Sequence, residues 1–217
     1  MHWSRRFFII AFILLLEGAA YHVVQHVTKQ KYDFVTSIDN AIPLLPGFVW
    51  VYHTLIPGIV LAHIFFIRKK RVFYSSIISF TIAVIVLKSC FLLFPAACPR
   101  VELDPASMSE WLLSWTYNID ATNNTFPSTH ITFACLAFLN VWRSSFSCNI
   151  KAVLSYGIWA ILILVSTLVI KQHFIFDVIS GMLLAMLAAW TSYKIYDGII
   201  NVTNDSETTE NKQYENC

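Results

Sequence analysis

The stretch "VFYSSIISFTIAVIVLKSCFLLF", residues 72–94, decides the fold class because only one of its residues, Lys88, is charged. A helix that crosses the hydrocarbon core of a bilayer needs about 20 mostly apolar residues, and this stretch meets that requirement. Five further stretches come close to it, at residues 7–24, 47–67, 128–142, 152–170 and 173–193. The sequence therefore predicts an all-α polytopic membrane protein with a bundle of six transmembrane helices.

The composition of the whole chain is also that of a membrane protein. Of its 217 residues, 57% are hydrophobic and only 13% are charged, whereas about a quarter of the residues in a soluble domain are charged. The net charge of +2 and the lack of a basic stripe argue against a nucleic-acid partner. We expect one transmembrane domain over residues 1–200 and a disordered polar tail over residues 201–217.

The cysteines and the N-terminal stretch each have a simple interpretation. The five cysteines show no CxxC or metal-type spacing, so we expect neither a disulfide framework nor a metal site. The first stretch has two arginines before an apolar core, as a signal peptide does. We interpret it as an uncleaved first helix.

The distribution of lysine and arginine predicts how the chain lies in the membrane. If the N-terminus is cytoplasmic, ten of the fifteen basic residues lie inside, and Lys88 lies within a helix. The other four lie outside: Lys29, Lys31, Arg100 and Lys171. Because cytoplasmic connections carry the excess of positive charge, we expect both termini in the cytoplasm. The loop of residues 95–127 then faces the periplasm, the extracellular side or an organelle lumen.

The stretch "NTFPSTHITFACLAF", residues 124–138, places hydroxyl and imidazole groups at the start of an apolar helix. Ser128 follows Pro127 and is a favoured N-cap, so the first N–H groups of the helix point into the outer loop. A helix start of this kind attracts anions, and His130 can exchange a proton near neutral pH. These features predict a phosphate site, although an ordinary capped helix with an interfacial histidine has the same pattern.

The stretch "STLVIKQHFIFDVISG", residues 166–181, places His173 and Asp177 four residues apart, on one face of a helix. A carboxylate beside an imidazole fixes its tautomer and raises its basicity, as in nucleophile and base arrangements. Asp177 also lies inside an apolar segment, where an ionised group is costly and usually functional. A His–Asp pair that only caps the helix is the alternative.

The stretch "KSCFLLFPAACPRVELDP", residues 88–105, places Arg100 just outside the third helix. A guanidinium binds phosphate through two parallel hydrogen bonds, whereas a snorkelling arginine would do no chemistry. The three stretches together predict phosphoryl transfer through a histidine without an obligatory metal or cofactor. Two further histidines, His53 and His63, lie in the second helix with no companion ligand nearby, and we interpret them as packing or pore-edge residues.

At these residues the chain resembles the type-2 phosphatidic acid phosphatase superfamily, which includes lipid phosphatases and phosphotransferases. The family's second motif, Pro-Ser-Gly-His, reads "PSTH" here, with Thr129 in the glycine position. Its third motif, Ser-Arg-x5-His-x3-Asp, is met by Ser166, His173 and Asp177, with Thr167 in place of the arginine. The first motif, Lys-x6-Arg-Pro, is not met. The segment "FPAACPR" is instead similar to the Pro-x3-Pro-Arg version in the branch that resembles inositol phosphorylceramide synthases.

The resemblance implies a role for each candidate residue. It implies that His173 attacks a lipid phosphate and forms a phosphohistidine, and that Asp177 orients His173. It implies that His130 protonates the leaving oxygen and then deprotonates the acceptor. The phosphoryl oxygens would be held by Arg100, Lys171, Ser128 and Thr129, the last through its backbone. The expected reaction is hydrolysis of a membrane lipid phosphate at the outer face.

Two alternatives stay open from the sequence. The first is a lipid phosphotransferase that passes a phosphoryl head group to an alcohol, and the second is a catalytically silent membrane protein on the same scaffold. The sequence does not identify the lipid. The triplet Asn123-Asn124-Thr125 is an N-glycosylation sequon on the predicted outer side, which matters only in a eukaryotic secretory pathway.

Overall fold

The computed structural model describes residues 3–29, 31–120, 122–145 and 149–215. Nine α-helices are found in these ranges: α1 (Trp3–Val27), α2 (Ser37–Ala41), α3 (Val49–Tyr52), α4 (Leu55–Phe66), α5 (Lys70–Leu93), α6 (Met108–Ile119), α7 (Thr129–Ser145), α8 (Ile150–Val169) and α9 (Ile175–Glu215). In the same ranges, bridge pairing is limited to Tyr32 with Ala96 and Ala97 with Asn123. The fold is all-α, as the sequence predicts.

Five segments of these helices are long and apolar enough to cross a membrane. They are Arg5–Val27, Pro46–Phe66, Lys70–Leu93, Ile150–Val169 and Ile175–Ile199. Large apolar side chains stand exposed along them, as on α1, where Phe8 and Leu15 are about three-quarters exposed. A water-soluble surface rarely carries such contiguous apolar area, so the prediction of a polytopic membrane protein is confirmed.

The fourth predicted segment, residues 128–142, corresponds to α7, which lies in the centre of the bundle. It packs against α4, α5, α8 and α9, and Ile131, Ala134 and Leu136 are fully buried. Its 17 residues correspond to about 25 Å of helix, and it is not among the five apolar spans. Its length therefore falls just short of a full membrane span, and its burial shows that it is surrounded by protein on several sides.

The predicted second helix, residues 47–67, is broken in the structure. A 3-10 turn over Pro46–Phe48 leads into α3, and α4 begins only at Leu55. The break follows from Pro57, which has no N–H to donate to residue 53 and is tolerated only in the first turn of a helix. Its consequence is that Tyr52 and His53 lie at an interruption in the helix.

The predicted outer loop contains a helix that we did not predict, α6. Ser107 and Glu110 form a capping box at its start, and hydrogen bonds from the N–H of Ala106 and the hydroxyl of Ser107 lower the pKa of Glu110. The helix packs on α3 and the 3-10 turn. It ends at Ile119, and its C-cap residue Asp120 lies on the wall of the candidate site.

The last helix extends beyond the membrane segment. The sequence predicts a disordered tail from residue 201, whereas α9 runs to Glu215. After Gly198 the sequence contains no glycine or proline up to that point, so no strong helix breaker interrupts the backbone.

Candidate active site

The start of α7 is fixed closely against α9. The hydroxyl of Ser128 accepts a hydrogen bond from the N–H of Ile131 at 3.3 Å, and the N–H of Ser128 donates to the carbonyl of Asp177 at 3.0 Å. Gly181 permits this approach, because a Cβ atom there would lie 2.8 Å from the carbonyl oxygen of Ser128. The two motif-bearing helices therefore hold a fixed position relative to each other.

Asp177 contacts the imidazole of His173 and also caps α9. The Oδ2 atom of Asp177 lies 3.4 Å from Nδ1 of His173 and accepts a hydrogen bond from the N–H of Phe174 at 2.9 Å. Within the described part of the chain, Nδ1 of His173 has no hydrogen-bond partner, so the contact with Asp177 is electrostatic. The carboxylate is fully buried. Its bond to Phe174 is the helix capping that the sequence offered as an alternative, and its role in orienting His173 stays a prediction.

The two candidate catalytic histidines meet at the same cavity. The ring centroids of His130 and His173 are 5.7 Å apart, and both residues line the cavity wall. The imidazole of His130 also stacks on the ring of Tyr52, with centroids 4.2 Å apart and an interplanar angle of 23°. A phosphorus atom between the two imidazoles would be within reach of both, as attack from one side and protonation on the other require.

Arg100 lies beside His173 on the cavity wall. Its guanidinium donates to the carbonyl of Lys171 at 3.0 Å, to that of Gln172 at 3.4 Å and to that of Asp120 at 3.4 Å. It also lies 5.1 Å from the ring centroid of Tyr117. These carbonyl acceptors hold the guanidinium at the cavity wall, where its positive charge can act on a phosphate.

The other three predicted phosphate ligands do not all reach the cavity. Thr129 lines it, and its Oγ1 is buried with no hydrogen-bond partner in the described ranges. Ser128 is fully buried as the N-cap behind that wall. The ammonium of Lys171 donates instead to the carbonyls of Asp39 and Ile42, at 2.8 and 2.5 Å. Lys171 therefore ties the α8–α9 connection to α2 and is not among the lining residues.

The cavity has a volume of about 560 Å³, which lies in the usual range for a ligand site. One part of its wall is apolar, with Leu14, Leu55, Ile56, Ile59 and Phe133. The polar part carries, besides the groups already described, Glu17, Tyr21, Tyr52, His53, Asp120, Asn123, Asn124, Thr125 and Gln172. The cavity therefore joins a polar end, which carries the two histidines and Arg100, to an apolar wall.

Sequence reasoning missed the polar groups that support His130. The hydroxyls of Tyr21 and Tyr52 both donate to the carboxylate of Asp120, the second at 3.1 Å. Tyr52 in turn stacks on His130, so Asp120 holds the ring that contacts the imidazole. These residues lie on α1, α3 and the end of α6, and no spacing along the chain connects them.

His53 lines the cavity as well, and its tautomer follows from its hydrogen bond. Its Nε2 lies 2.9 Å from the hydroxyl of Thr116, and that hydroxyl donates its own hydrogen to the carbonyl of Leu112 at 2.8 Å. The Nε2 atom of His53 is therefore the donor. The sequence interpretation of a pore-edge residue describes this position.

Cys98 lies near the cavity but lacks the properties of a nucleophile. Burial raises the pKa of its thiol to about 12, although Arg100 opposes that shift. The thiol donates to the carbonyl of Lys171 at 3.1 Å. Because the thiolate is the nucleophilic form of cysteine, Cys98 stabilises the loop rather than attacking a substrate.

The comparisons with known proteins agree with this geometry. The family model described as the PAP2 superfamily matches residues 39–191. The chain belongs to that superfamily. The match includes Arg100, both histidines and Asp177 but says nothing of the branch.

A solved structure has a similar fold. The crystal structure of Aquifex aeolicus LpxE aligns with a TM-score of 0.50 over 80% of this chain and 92% of that one, at 16% sequence identity. The likeness at this identity concerns the fold. None of the curated proteins compared with the chain matches it.

Proposed function

We propose that this protein is a membrane lipid phosphatase that works through a phosphohistidine at the outer face of the membrane. The observation that carries the proposal is the meeting of His130 and His173 in one cavity, 5.7 Å apart, with Arg100 on the same wall. Membership of the PAP2 superfamily supports a phosphatase that acts on a lipid phosphate.

In the first step, Nε2 of His173 attacks the phosphorus atom of a lipid phosphate monoester. The bond from phosphorus to the lipid oxygen breaks, and His130 donates a proton to that oxygen, so that the lipid leaves as an alcohol. Asp177, 3.4 Å from Nδ1 of His173, stabilises the positive charge that the imidazole gains. In the second step, His130 takes a proton from water as the water oxygen attacks the phosphorus. The bond from phosphorus to Nε2 of His173 breaks, which releases inorganic phosphate and regenerates the free imidazole.

Charge on the phosphoryl oxygens is balanced by the protein itself. Arg100 supplies a fixed positive charge, and the start of α7, at Thr129 and His130, supplies N–H donors and the positive end of the helix dipole. The hydroxyl of Thr129 adds a donor at the cavity wall. Lys171 and Ser128 act by positioning the two helix connections, since their polar groups are engaged there.

The apolar wall supports a lipid substrate. Leu14 and Ile59 lie on α1 and α4, two helices with membrane-span character, and both line the same cavity as the histidines. A phosphate held at Arg100 would let an acyl chain lie along this wall. A small water-soluble phosphate ester would leave the wall exposed to water, which is unfavourable by about 25 cal/mol for each Å².

The orientation in the membrane rests on charge placement. The loop that carries Arg100 and α6 lies on the side of the membrane with few basic residues, and the connections before α5 and after α7 carry many. By the positive-inside rule, the candidate site faces outward and both termini face the cytoplasm.

The proposal is tested by incubating the purified protein in detergent with a panel of lipid phosphates and identifying the products by mass spectrometry. A phosphatase releases inorganic phosphate and the dephosphorylated lipid, and His173→Ala abolishes both. A matched control is His26→Ala, because His26 is exposed on α1 and does not line the cavity. A new phosphorylated product without free phosphate would identify a transferase, and no product from any lipid would refute the enzyme assignment.

A further inference from the structure

A part of the cavity wall that the proposed mechanism does not use carries buried polar atoms without partners. They belong to four lining residues: Asn123, Asn124, Thr125 and Gln172. Their side chains are at least nine-tenths buried, with exposed fractions of 9, 3, 3 and 1%. Oδ1 of Asn123, Nδ2 of Asn124, Oγ1 of Thr125 and Nε2 of Gln172 make no hydrogen bond to any described residue.

A buried polar atom without a hydrogen-bond partner destabilises the folded protein unless a ligand or a water molecule binds it. Leaving a buried donor or acceptor unsatisfied costs about 1–3 kcal/mol, and native proteins contain few examples. Four of them on one cavity wall therefore indicate a ligand or ordered water as the missing partner. Their burial excludes the alternative of a freely hydrated surface.

The backbone around these residues is fixed, so the wall exists before a ligand arrives. The amide nitrogen of Asn123 donates to the carbonyls of Gln25 and Thr28, each at 3.0 Å, and to the hydroxyl of Thr28 at 2.8 Å. Because the two carbonyls can only accept, the amide of Asn123 cannot be reversed, and its buried Oδ1 is an acceptor without a partner in the described ranges. The other end of the Asn124 amide bonds to Thr28 at 2.9 Å.

Cys98 connects Gln172 to the other three residues. Its N–H donates to the carbonyl of Thr122 at 2.9 Å, and its thiol donates to the carbonyl of Lys171 at 3.1 Å. The N–H of Thr125 donates to the carbonyl of Ala96 in the same segment, at 3.3 Å. The two backbone segments that carry the four side chains, residues 122–125 and 171–172, are therefore both hydrogen-bonded to the segment of residues 96–98.

The chemistry of the four groups selects the class of ligand. Three amides and a hydroxyl offer both donors and acceptors, and none of the four carries a charge. A second phosphate would need a cation, and an ammonium would need an available carboxylate or an aromatic cage. The two carboxylates on the cavity wall, those of Glu17 and Asp120, are already bonded to Lys88 and to two tyrosines, respectively. Hydroxyl groups both donate and accept, so they match a mixed neutral set.

We propose that Asn123, Asn124, Thr125 and Gln172 form a polyol subsite, which binds a neutral group with several hydroxyls next to the phosphate. The inference rests on the proposed function, because it takes Arg100 and the histidines as the phosphate end of the cavity. The polyol is either part of the head group of the lipid or a free alcohol that accepts the phosphoryl group. Both sources share the same hydrogen-bonding chemistry.

The binding test does not require catalysis. Short-chain phosphatidylglycerol and phosphatidylmethanol are both diesters, and they differ in the two hydroxyls of the glycerol head group. We expect the protein in detergent to bind phosphatidylglycerol more tightly, by roughly three- to tenfold, the range that one or two hydrogen bonds supply. Thr125→Val and Gln172→Met keep side-chain volume and should bring the ratio of the two dissociation constants close to one.

A matched control is Thr81→Val, because Thr81 is exposed on α5 and donates to its own helix, at the carbonyl of Ile77. This variant should keep the wild-type ratio. Equal affinity of the wild-type protein for the two lipids would overturn the proposal, and so would an unchanged ratio in both cavity variants. A protein that binds phosphatidylglycerol more tightly than phosphatidylmethanol but hydrolyses no lipid phosphate would support the subsite and refute the proposed phosphatase function.

Two kinetic arms distinguish the source of the polyol. In the first, kcat/KM is compared for phosphatidylglycerol phosphate and phosphatidate, and a preference for the former that Gln172→Met removes assigns the polyol to the substrate. In the second, free glycerol is added during phosphatidate turnover, and the ratio of glycerol phosphate to inorganic phosphate is measured. A ratio that falls in Thr125→Val assigns the polyol to the acceptor. No preference in either arm would overturn the subsite.

Discussion

Removal of one partner from the ion pair between Glu17 and Lys88 is the sharpest test of how α1 is held in the bundle. The ammonium of Lys88 on α5 lies 2.6 Å from Oε1 of Glu17 on α1, and both side chains are only 11% exposed. The ammonium also lies 4.9 Å from the ring centroid of Tyr21 and 5.3 Å from that of Phe91. The pair therefore lies within the apolar part of the protein.

The magnitude follows from that burial. In Lys88→Met the apolar stem is kept while the charge is lost, and Glu17 is left as an uncompensated buried carboxylate. Breaking a buried pair in this way costs about 3–5 kcal/mol. For a chain of about this length, each kcal/mol lowers Tm by roughly 2–4 °C, so we expect a fall in Tm of about 6–20 °C.

The double variant Glu17→Gln/Lys88→Met removes both charges, and replacing a buried pair with uncharged groups is often neutral. We therefore expect it to recover most of the lost stability. The assay is thermal unfolding in detergent, followed by tryptophan fluorescence, for the wild type, both single variants and the double variant. A double variant that is as unstable as the sum of the single variants would refute the reasoning, because the two side chains would then act independently.

Three further predictions concern the site. His130→Ala should lower hydrolysis of a lipid phosphate far more than hydrolysis of p-nitrophenyl phosphate, whose leaving group needs no proton, whereas His173→Ala should abolish both; equal losses on both substrates would contradict the separate roles. Gly181→Ala should lower kcat by tenfold or more, because its Cβ would lie 2.8 Å from the carbonyl oxygen of Ser128 and small displacements of catalytic groups lower rates by up to about 100-fold. The control is Gly198→Ala on the same helix, where a Cβ would have nothing within 4 Å, and this variant should stay active. Activity should persist in EDTA and be inhibited by vanadate, a phosphate mimic; complete loss in EDTA that magnesium restores would show that a metal balances the phosphate charge.

Apolar length and motif spacing were sufficient to predict the framework of the protein. The residues of α5, α8 and α9 form helices close to the predicted segments because an apolar run of about 20 residues has few alternatives in a membrane. Local rules of this kind need no knowledge of the rest of the fold. His173 and Asp177 do lie close together, but they do not share one helical face as their four-residue spacing predicts, because α9 begins only at Ile175 and His173 lies in the connection before it.

The remaining parts of the site depend on contacts between distant segments. Tyr21, Tyr52 and Asp120 meet only because α1, α3 and α6 converge, and no pattern within any one of these segments indicates it. For Lys171 the sequence suggested a role that the contacts do not support. Its charge and its place near His173 suggested a phosphate ligand. Its ammonium instead bonds to carbonyls of the segment at residues 39–42, which lies about 130 residues earlier in the chain.

The buried amide of Asn123 bears on how the protein is produced. If the loop faces outward, as we propose, a eukaryotic secretory host attaches an oligosaccharide to the nitrogen of that amide in the sequon Asn123-Asn124-Thr125. In the fold, the same nitrogen is already bonded to Gln25 and Thr28, so a sugar there and the completed outer loop exclude each other. Protein that carries a glycan at this position has not closed the connection between α1 and α7. The sequence holds two further sequons, at Asn201 and Asn204, so only a glycosidase-sensitive gel shift that Asn123→Gln removes measures this misfolded fraction. A host without this glycosylation avoids it.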